Sequence, residues 1–359
     1  MSTWCLALIT PLLSKHAQEL QKLLKNFKRI AVIHHWDSDG LASAALIGRY
    51  LSKFNVDTSF HIPKIGIYAI EAINLSEIKE QEPEALLILD YGIPVSHIEK
   101  LESLLGVDVI VVDHHINDVR SKSFFNPIAE GLSEDEYPST TWVLRDLIDV
   151  EDSLDLVALG VVGDLGKRLE DKALKGIIEG FISKFGLALD DIYEASNLVD
   201  SCYRLLDYSS IHYARRLLED RGVEGVLRSP ILDEKLLELK DEVDRALHSL
   251  KLIENGRSIK IFELATKSYI TSLIGRELAH KFKNSIIMLI HEVKGLGLTY
   301  IYVRSLKFNL RGVLEALRKD QSMNIGGKDK VFVVTCSANC KDHVMLIYDK
   351  LIELIGDVG

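Results

Sequence analysis

Short apolar segments alternate with helical patterns along the first third of the chain. RIAVIHH, ALLILDYG and VDVIVVDHH are short and largely apolar, and RIAVIHH is rich in β-branched residues, which is typical of strands buried on both faces. DTSFHIPK is a fourth candidate strand, and the helical patterns GLASAALIGRYLSKF and IPVSHIEKLESLL lie between the strands. This βαβ order predicts an α/β fold in which a parallel sheet is flanked by helices.

Acidic and imidazole side chains stand where three of these segments end. They are Asp37 and Asp39 after RIAVIHH, Asp90 at the end of ALLILD, and Asp113, His114 and His115 at the end of VDVIVVDHH. In open parallel sheets, ligands bind outside the carboxyl ends of the strands. A turn or a helix cap explains any one of these aspartates, but it explains the whole set poorly.

Asp37 and Asp39 are separated by one residue, and like charges this close raise each other's pKa. A solvated loop would relieve the repulsion, and so would a cation bound between the carboxylates. Because the acidic side chains of three strands are expected to meet at one edge of the sheet, the pattern favours a divalent metal site.

Composition limits the setting and the partners of the chain. Its 359 residues are 47% hydrophobic and 27% charged, and no apolar run approaches the ~18–20 residues of a membrane span. The net charge of −10 restricts any nucleic-acid contact to a local surface. The scattered cysteines are expected to be reduced thiols of a cytoplasmic protein with no membrane segment; they are Cys5, Cys202, Cys336 and Cys340.

The pattern divides the chain into three parts. Residues 1–170 carry the strand and helix alternation, with an N-terminal helix before it and a buried apolar helix that presents Asp164 near its end. Residues 171–256 are mostly helical, with a heptad-like run from Leu232 to Ile253, and form a connector. Residues 257–359 alternate strands and helices again and form a second, smaller α/β domain, in which IGGKD places a glycine pair before a strand.

Four short motifs follow one another in the first part, namely DSDG, LDYG, DHH and VVGDLG. In this order on an α/β domain they resemble the four motifs of the DHH phosphoesterase superfamily. SYITSLIGRELAHKF, YVRS and IGGKD resemble its DHHA1 substrate-binding domain, so the resemblance extends from Arg29 to Ser337. It implies hydrolysis of phosphoester or phosphoanhydride bonds at a site of two divalent metal ions, commonly Mn²⁺, with Mg²⁺ or Co²⁺ as alternatives.

The resemblance also implies roles for individual residues of the first domain. The metal ligands are Asp37, Asp39, Asp90, His114, Asp164 and His35. Asp90 bridges the two ions, while Asp113 orients the histidines and His115 faces the substrate phosphate, which makes Asp113 and His115 the catalytic residues. Carboxylate and imidazole ligands without thiolates suit Mn²⁺ better than Ca²⁺.

In the second domain, the resemblance implies a set of substrate-binding residues. They are Arg304, Ser305, Gly326, Gly327 and Lys328. Arg304 offers a planar fork suited to phosphate, and the glycines allow backbone amides to approach a terminal nucleotide. The family continues its glycine pair with histidine, whereas this chain has Lys328, which is able to contact phosphate as a point charge.

Within the superfamily, the chain resembles the archaeal RecJ-like exonucleases, which implies hydrolysis of single-stranded DNA or RNA to 5′-mononucleotides in replication or repair. The expected partners are single-stranded nucleic acid, a replication or repair helicase and further copies of the chain. A nanoRNase or cyclic-dinucleotide phosphodiesterase is the main alternative. A DHH-type pyrophosphatase fits less well because the second domain lacks a dense basic cluster, and an inactive replisome scaffold would have lost metal ligands that this chain keeps.

Overall fold

The computed structural model describes residues 11–115, 123–256, 258–320, 323–337 and 340–355. The chain forms two compact units, one made of Met1–Tyr203 and Asp207–Leu236 and the other of Arg204–Leu206 and Leu237–Gly359. The helices predicted as a connector are therefore shared between the units. In the described residues, no helix is long and apolar enough to cross a membrane.

A five-stranded parallel sheet forms the centre of the first unit. Its strands are β1 (Arg29–His34), β2 (Asp57–His61), β3 (Ala85–Leu89), β4 (Asp108–Val112) and β5 (Phe124–Phe125), in the spatial order β2-β1-β3-β4-β5. Neighbouring strands pair in parallel throughout, and β3 is buried along its whole length. This confirms the predicted α/β class with a parallel sheet and places the carboxyl ends of β1, β3 and β4 side by side.

Helices connect and cover these strands. In the described residues of the first unit they are α1 (Pro11–Lys25), α2 (Ser38–Ser52), α3 (Leu75–Glu80), α4 (Val95–Leu105), α5 (Thr140–Leu147), α6 (Leu154–Leu165), α7 (Leu174–Ser183), α8 (Leu189–Arg204) and α9 (Tyr208–Leu227). Helix α2 starts at once after β1 because Asp37 caps it, accepting a hydrogen bond from the Gly40 amide. It is buried almost all round, and small residues allow it to pack closely on α6: a Cβ at Gly163 would lie 2.8 Å from the Ser38 Cβ.

The second unit is built on a six-stranded mixed sheet. Its strands are β6 (Lys251–Asn255), β7 (Ile259–Thr266), β8 (Ile286–Val293), β9 (Leu298–Ser305), β10 (Asn324–Lys328) and β11 (Val331–Ser337), in the spatial order β10-β11-β9-β8-β7-β6. Only β7 and β8 pair in parallel. The remaining helices are α10 (Pro230–Ser249), which begins in the first unit, α11 (Thr271–Lys281), α12 (Arg311–Leu317) and α13 (Lys341–Ile355). One apolar cluster includes Phe332 and Ile347, and another includes Leu289 and Ile274.

The structure corrects the expectations for two segments of this unit. The heptad-like run was expected to stay helical to Ile253, but α10 ends at Ser249 and the next residues form the edge strand β6 by pairing with β7. Pairing with a neighbouring strand here outweighs the local helical pattern. The glycine pair Gly326 and Gly327 lies within edge strand β10 instead of in a loop before a strand.

The thiol state of two cysteines also differs from the expectation. Cys336 follows the middle of β11 and Cys340 directly precedes α13, and the structure joins them in a disulfide. Their Cα atoms are 6.0 Å apart, which is within the range that a disulfide spans. The expectation of reduced thiols rested on the scattered positions of the four cysteines and on the absence of a second pair for a zinc site. Cys202 is a free, buried thiol.

Candidate metal centre

The side chains expected to bind metal lie at the carboxyl ends of three adjacent strands, β1, β3 and β4. Asp37 and Asp39 begin α2 after β1, Asp90 follows β3, and His114 and His115 follow β4. The end of α6 contributes Asp164 to the same place. The parallel topology therefore gathers groups that are up to about a third of the chain apart in sequence.

These side chains form three overlapping groups, and in each group the ligand atoms lie within 4.8 Å of one another. The groups are His35, Asp37 and Asp90; Asp39, His114 and Asp164; and Asp90, His114 and His115. Asp90 and His114 each belong to two groups. All six residues expected to bind metal are thus brought together, with Asp90 in a central position.

Several of the closest approaches in this cluster lack hydrogen-bond geometry. His35 Nδ1 lies 2.8 Å from Asp37 Oδ2, and His114 Nε2 lies 3.0 Å from Asp164 Oδ2. Even so, His35 Nδ1, His114 Nε2 and Asp164 Oδ2 are buried atoms without a hydrogen-bond partner. Buried polar atoms are rarely left unpaired. Nitrogen and oxygen atoms that converge without bonding one another fit coordination of a shared divalent cation.

The electrostatics of the cluster also favour a cation. Burial, followed by the charge of Asp164, raises the pKa of Asp39 to about 6. Burial and the charge of Asp39 raise the pKa of Asp90 well above its usual range. Burial acts on Asp37 in the same direction, but the adjacent His35 outweighs it and lowers that pKa to about 2. Without a cation, the protein alone does not stabilise all the carboxylates in their charged form.

Asp113 holds the two histidines that follow β4. It is fully buried and accepts hydrogen bonds from the His114 amide at 2.8 Å, from the His115 Nδ1–H at 2.7 Å and from the Gly92 amide at 3.1 Å. These contacts outweigh burial and lower the pKa of Asp113 to about 2. The His115 side chain is 45% exposed. The side-chain amide of Asn126 donates a hydrogen bond to the His115 backbone carbonyl at 2.7 Å. Asp113 therefore orients the His115 ring at the open side of the cluster.

Sequence analysis did not identify the residues that position Asp39 and Asp90. Asp39 accepts hydrogen bonds from the backbone amides of Thr140 at 2.6 Å and Thr141 at 3.0 Å, at the start of α5. The Thr140 hydroxyl donates to Asp90 Oδ1 at 3.0 Å. The available signal was Ser139, which caps α5 and thus marks a helix start within PSTTW. Nothing in that cap indicates which carboxylates the helix faces.

Helix α8 supplies a second support that the sequence did not indicate. Asp200 Oδ1 accepts hydrogen bonds from the Ser38 amide at 3.0 Å and from the Ser38 hydroxyl at 2.7 Å. The same hydroxyl lies 3.0 Å from the Ser196 hydroxyl. Since Ser38 stands between Asp37 and Asp39, these contacts fix the first turn of α2, on which both carboxylates depend.

The residues expected to bind substrate lie in the second unit. In register, Lys328 of β10 pairs with Val331 of β11, which pairs with Arg304 of β9, so the two basic residues share one row of the sheet. The Arg304 guanidinium donates to the Tyr302 hydroxyl at 3.2 Å, and its Nε is buried without a partner. Gly326, Gly327 and Lys328 lie on the exposed edge.

Two of these residues also have clear structural roles. The buried Ser305 hydroxyl donates to the Ser285 carbonyl at 3.1 Å and accepts from the amides of Lys307 and Phe308, so it stabilises the turn after β9. A Cβ at Gly327 would lie 2.4 Å from the Val331 carbonyl oxygen. The tight connection between β10 and β11 therefore requires glycine at that position whether or not a ligand binds there.

Comparison with known proteins agrees with this geometry. Residues 29–161, which include β1 to β4 and most of the candidate metal centre, match the model of the DHH family, N-terminal domain. This segment of the chain is therefore similar to the N-terminal domain of the DHH family. It is 26% identical over 172 residues to the single-stranded-DNA-specific exonuclease RecJ of Bacillus subtilis (strain 168), a match that covers 42% of this chain and 20% of that protein. The chain thus spans about a fifth of the length of this curated relative.

Solved structures share the fold over nearly the whole chain. A DHH-domain protein described as a member of the s1p family of ribosomal proteins is 16% identical, with a TM-score of 0.68 and coverage of 98% of this chain and 92% of that one. The exonuclease RecJ bound to manganese is 19% identical, with a TM-score of 0.64 and coverage of 96% of each chain. At these identities, the likeness shows a common fold.

Proposed function

We propose that the chain is a metal-dependent phosphodiesterase, specifically an exonuclease that hydrolyses single-stranded DNA or RNA to 5′-mononucleotides. The observation that carries this proposal is the convergence of three ligand groups on Asp90 and His114 at the carboxyl edge of a parallel sheet. The substrate class is supported by the relative from Bacillus subtilis, which is described as a single-stranded-DNA-specific exonuclease.

The residues present fit two divalent cations. His35, Asp37 and Asp90 would hold one ion, and Asp39, His114 and Asp164 would hold the other. Mn²⁺ is the preferred ion because the set mixes carboxylates and imidazoles, and Mg²⁺ or Co²⁺ are alternatives. Divalent ions at such a site lower the pKa of bound water and stabilise negative charge on phosphoryl oxygens.

The chain's own residues bind and orient the substrate. His115, with its Nδ1–H held by Asp113, presents its Nε2 side to a phosphoryl oxygen. Arg304 and Lys328 lie in one row of the second sheet and are proposed to bind other phosphates of the single-stranded substrate, together with the Gly326 backbone amide. Since the net charge is −10, binding is confined to such local basic groups.

Two aspects of the setting extend the proposal. We place the protein in the cytoplasm and assign it to DNA replication or repair. There it would act with a helicase partner, and further copies of the chain would be able to assemble with it. These assignments rest on the resemblance to RecJ-like proteins and are open to co-purification and sedimentation measurements.

The experiment is a time course with the purified full chain and Mn²⁺ on one DNA and one RNA oligonucleotide, each labelled at either end in turn. Mononucleotides released from one end are the expected product, and EDTA is expected to abolish the reaction. Asp90→Asn is expected to reduce the rate more than about 100-fold, because loss of groups that merely orient a metal ligand already costs 10–100-fold. Asp108→Asn, at the exposed opposite end of strand β4, is the matched control.

Other outcomes would redirect or remove the proposal. Cleavage confined to dinucleotides or cyclic dinucleotides would favour the nanoRNase alternative. Release of phosphate from pyrophosphate, with oligonucleotides left intact, would favour a pyrophosphatase. Equal activity of Asp90→Asn and Asp108→Asn would contradict a metal-dependent reaction at this cluster.

A further inference from the structure

A second concave site lies in the first unit, at the carboxyl end of β2. It is a cavity of about 140 Å³, and none of the candidate metal ligands lines it. Apolar side chains form part of its wall, including Ile33 of β1, Ile62 and Ile73. The cavity is partly open to solvent where the exposed Glu77 stands, so a small ligand has access to it.

Polar groups on the other walls retain unused hydrogen-bonding capacity. The Tyr208 hydroxyl accepts from the Ile65 amide at 2.9 Å, and its own proton is not donated to any residue that the structure describes. The ring of His212 makes no hydrogen bond within the same described ranges. Glu77 Oε2 accepts from Asn74, while Glu77 Oε1 lies 3.5 Å from His61 Nδ1 and remains a strong acceptor.

The chemistry of these walls selects among ligands. No lysine or arginine lines the cavity and Glu77 does, which disfavours a phosphate or another anion. None of its polar side chains belongs to the groups of possible metal ligands found among the described residues, which disfavours a metal ion. Burial lowers the pKa of His61 and of His212, so both imidazoles are neutral at pH 7 and able to donate and accept.

Apolar walls around a few hydrogen-bonding groups suit a planar, uncharged heterocycle. Pockets for drug-sized ligands have volumes of about 300–1,000 Å³, so this smaller cavity suits a single ring system. A nucleobase has apolar faces and a polar edge, and a carboxylate is a good acceptor for an exocyclic amino group. Glu77 therefore favours adenine, cytosine or guanine over uracil or thymine.

The cavity is also close to the candidate metal centre. Ile33 pairs in register with His61 of β2 and precedes His35 by two residues, a rise of about 7 Å along a strand. The connection after β2 contributes to both places, since the Tyr68 hydroxyl lies 3.1 Å from His35 Nε2 while Ile73 lines the cavity. The two places are therefore neighbours at the carboxyl ends of β1 and β2.

We propose that this cavity is a nucleobase subsite, selective for bases with an exocyclic amino group, beside the candidate metal centre. The inference rests on the proposed function for its biological meaning, but binding of a base does not require hydrolysis. Glu77 accepts from the amino group, and Tyr208 and His212 hydrogen-bond to ring nitrogen or carbonyl atoms.

The test measures binding of cytidine, uridine and ribose to the full chain in EDTA, by NMR titration. These probes lack phosphate, so the metal centre does not contribute. Cytidine is expected to bind about three- to tenfold more tightly than uridine, the effect of one hydrogen bond. Glu77→Gln is expected to remove this preference because an amide also donates to the uracil carbonyl. Glu80→Gln, exposed one turn further along α3, is the matched control.

A second variant and a separate activity assay keep the outcomes distinct. His212→Ala, with a half-buried side chain, is expected to weaken both nucleosides about three- to tenfold, with the fold checked by thermal melting. Equal binding of cytidine, uridine and ribose, or a preference that survives Glu77→Gln, overturns the subsite even if oligonucleotides are hydrolysed. Selective binding that Glu77→Gln removes supports the subsite even if the exonuclease assay fails.

Discussion

Thr140 joins two carboxylates of the candidate metal centre and gives the sharpest test of how the fold positions them. Its amide donates to Asp39 Oδ2 at 2.6 Å, its hydroxyl donates to Asp90 Oδ1 at 3.0 Å, and the residue is fully buried. Thr140→Val removes the hydroxyl while it retains the branched shape and the backbone amide. The variant therefore isolates the hydrogen bond to Asp90.

The size of the effect follows from the environment of Asp90, which is only 2% exposed. A hydrogen bond to a charged group contributes about 1.5–3 kcal/mol. Since about 1.4 kcal/mol corresponds to a factor of ten in an equilibrium constant, we expect Mn²⁺ affinity to fall about 10- to 100-fold. The same range is typical when a group that orients a metal ligand is removed, about 10–100-fold.

Mn²⁺ affinity is measured by electron paramagnetic resonance of the free ion, which does not depend on catalysis. Thr141→Val is the matched control, since the Thr141 hydroxyl bonds to the Val157 carbonyl at 3.2 Å and to the Ser139 hydroxyl at 2.9 Å, and to no metal ligand. Thr140→Ser restores the hydroxyl and is expected to recover most of the affinity. Equal losses in Thr140→Val and Thr141→Val would refute the reasoning, because the effect would then come from packing at the start of α5.

Three further perturbations test the surroundings of the centre. Gly160→Ala would place a Cβ 2.2 Å from Asp39 Oδ1, and we expect it to abolish Mn²⁺ binding and to lower the free energy of unfolding by about 1–3 kcal/mol, measured by urea denaturation. Asp200→Ala removes the acceptor for the Ser38 amide and hydroxyl and is expected to cost about 1–3 kcal/mol in the same assay, with Glu194→Ala on the exposed side of α8 as the neutral comparison. In the metal-free protein, the pKa of Asp39 is raised to about 6, against 3.8 for an unperturbed carboxyl group. The contribution of Asp39 to stability is therefore complete below about pH 4 and is lost as pH rises toward and through about 6. Denaturation midpoints in EDTA that rise from about pH 4 to about pH 6 would contradict this sign, whereas added Mn²⁺ is expected to raise stability most at the higher pH.

The convergence of the side chains that follow β1, β3 and β4 was predictable because strand ends are visible in the sequence, whereas Asp164 lies at the end of helix α6 and was assigned through the family resemblance. A short apolar run that stops at Asp90 indicates both a buried strand and the place where it ends. Parallel topology then brings successive strand ends to one edge without any need to know side-chain contacts. The same rule placed His114 beside Asp90 before any distance was known.

The supporting residues escaped detection because their contacts join distant parts of the chain and use common groups. The hydrogen bond from Thr140 to Asp39 spans 101 residues, and that from Ser38 to Asp200 spans 162. Any residue except proline has a backbone amide, so the amides of Thr140 and Thr141 could not be picked out by residue type. A single aspartate in an amphipathic helix, such as Asp200, is usually interpreted as a solvent-exposed side chain. Packing of helices decides which carboxylate such a donor meets, and the local pattern does not record it.

Edge strands were misread for a related reason. The glycine pair Gly326 and Gly327 was expected to precede a strand, yet antiparallel pairing with β11 holds it within β10. Whether a segment at the edge of a sheet is helix, loop or strand depends on the partner strand beside it. The function inferred for these glycines is affected as well, since the close contact of Gly327 with Val331 gives a structural reason for glycine there.

Asp39 shows how far the fold alone is able to stabilise charge in this cluster. It lies in the first turn of α2 and accepts hydrogen bonds from two amides at the start of α5, so two helix N-termini support its negative charge. Even so, burial and the charge of Asp164 raise its pKa to about 6. Among the candidate metal ligands that the structure describes, buried nitrogen or oxygen atoms of His35, His114 and Asp164 remain without a hydrogen-bond partner. The charge left over therefore has to be balanced by a group that these atoms bind together, which is the role of a divalent cation.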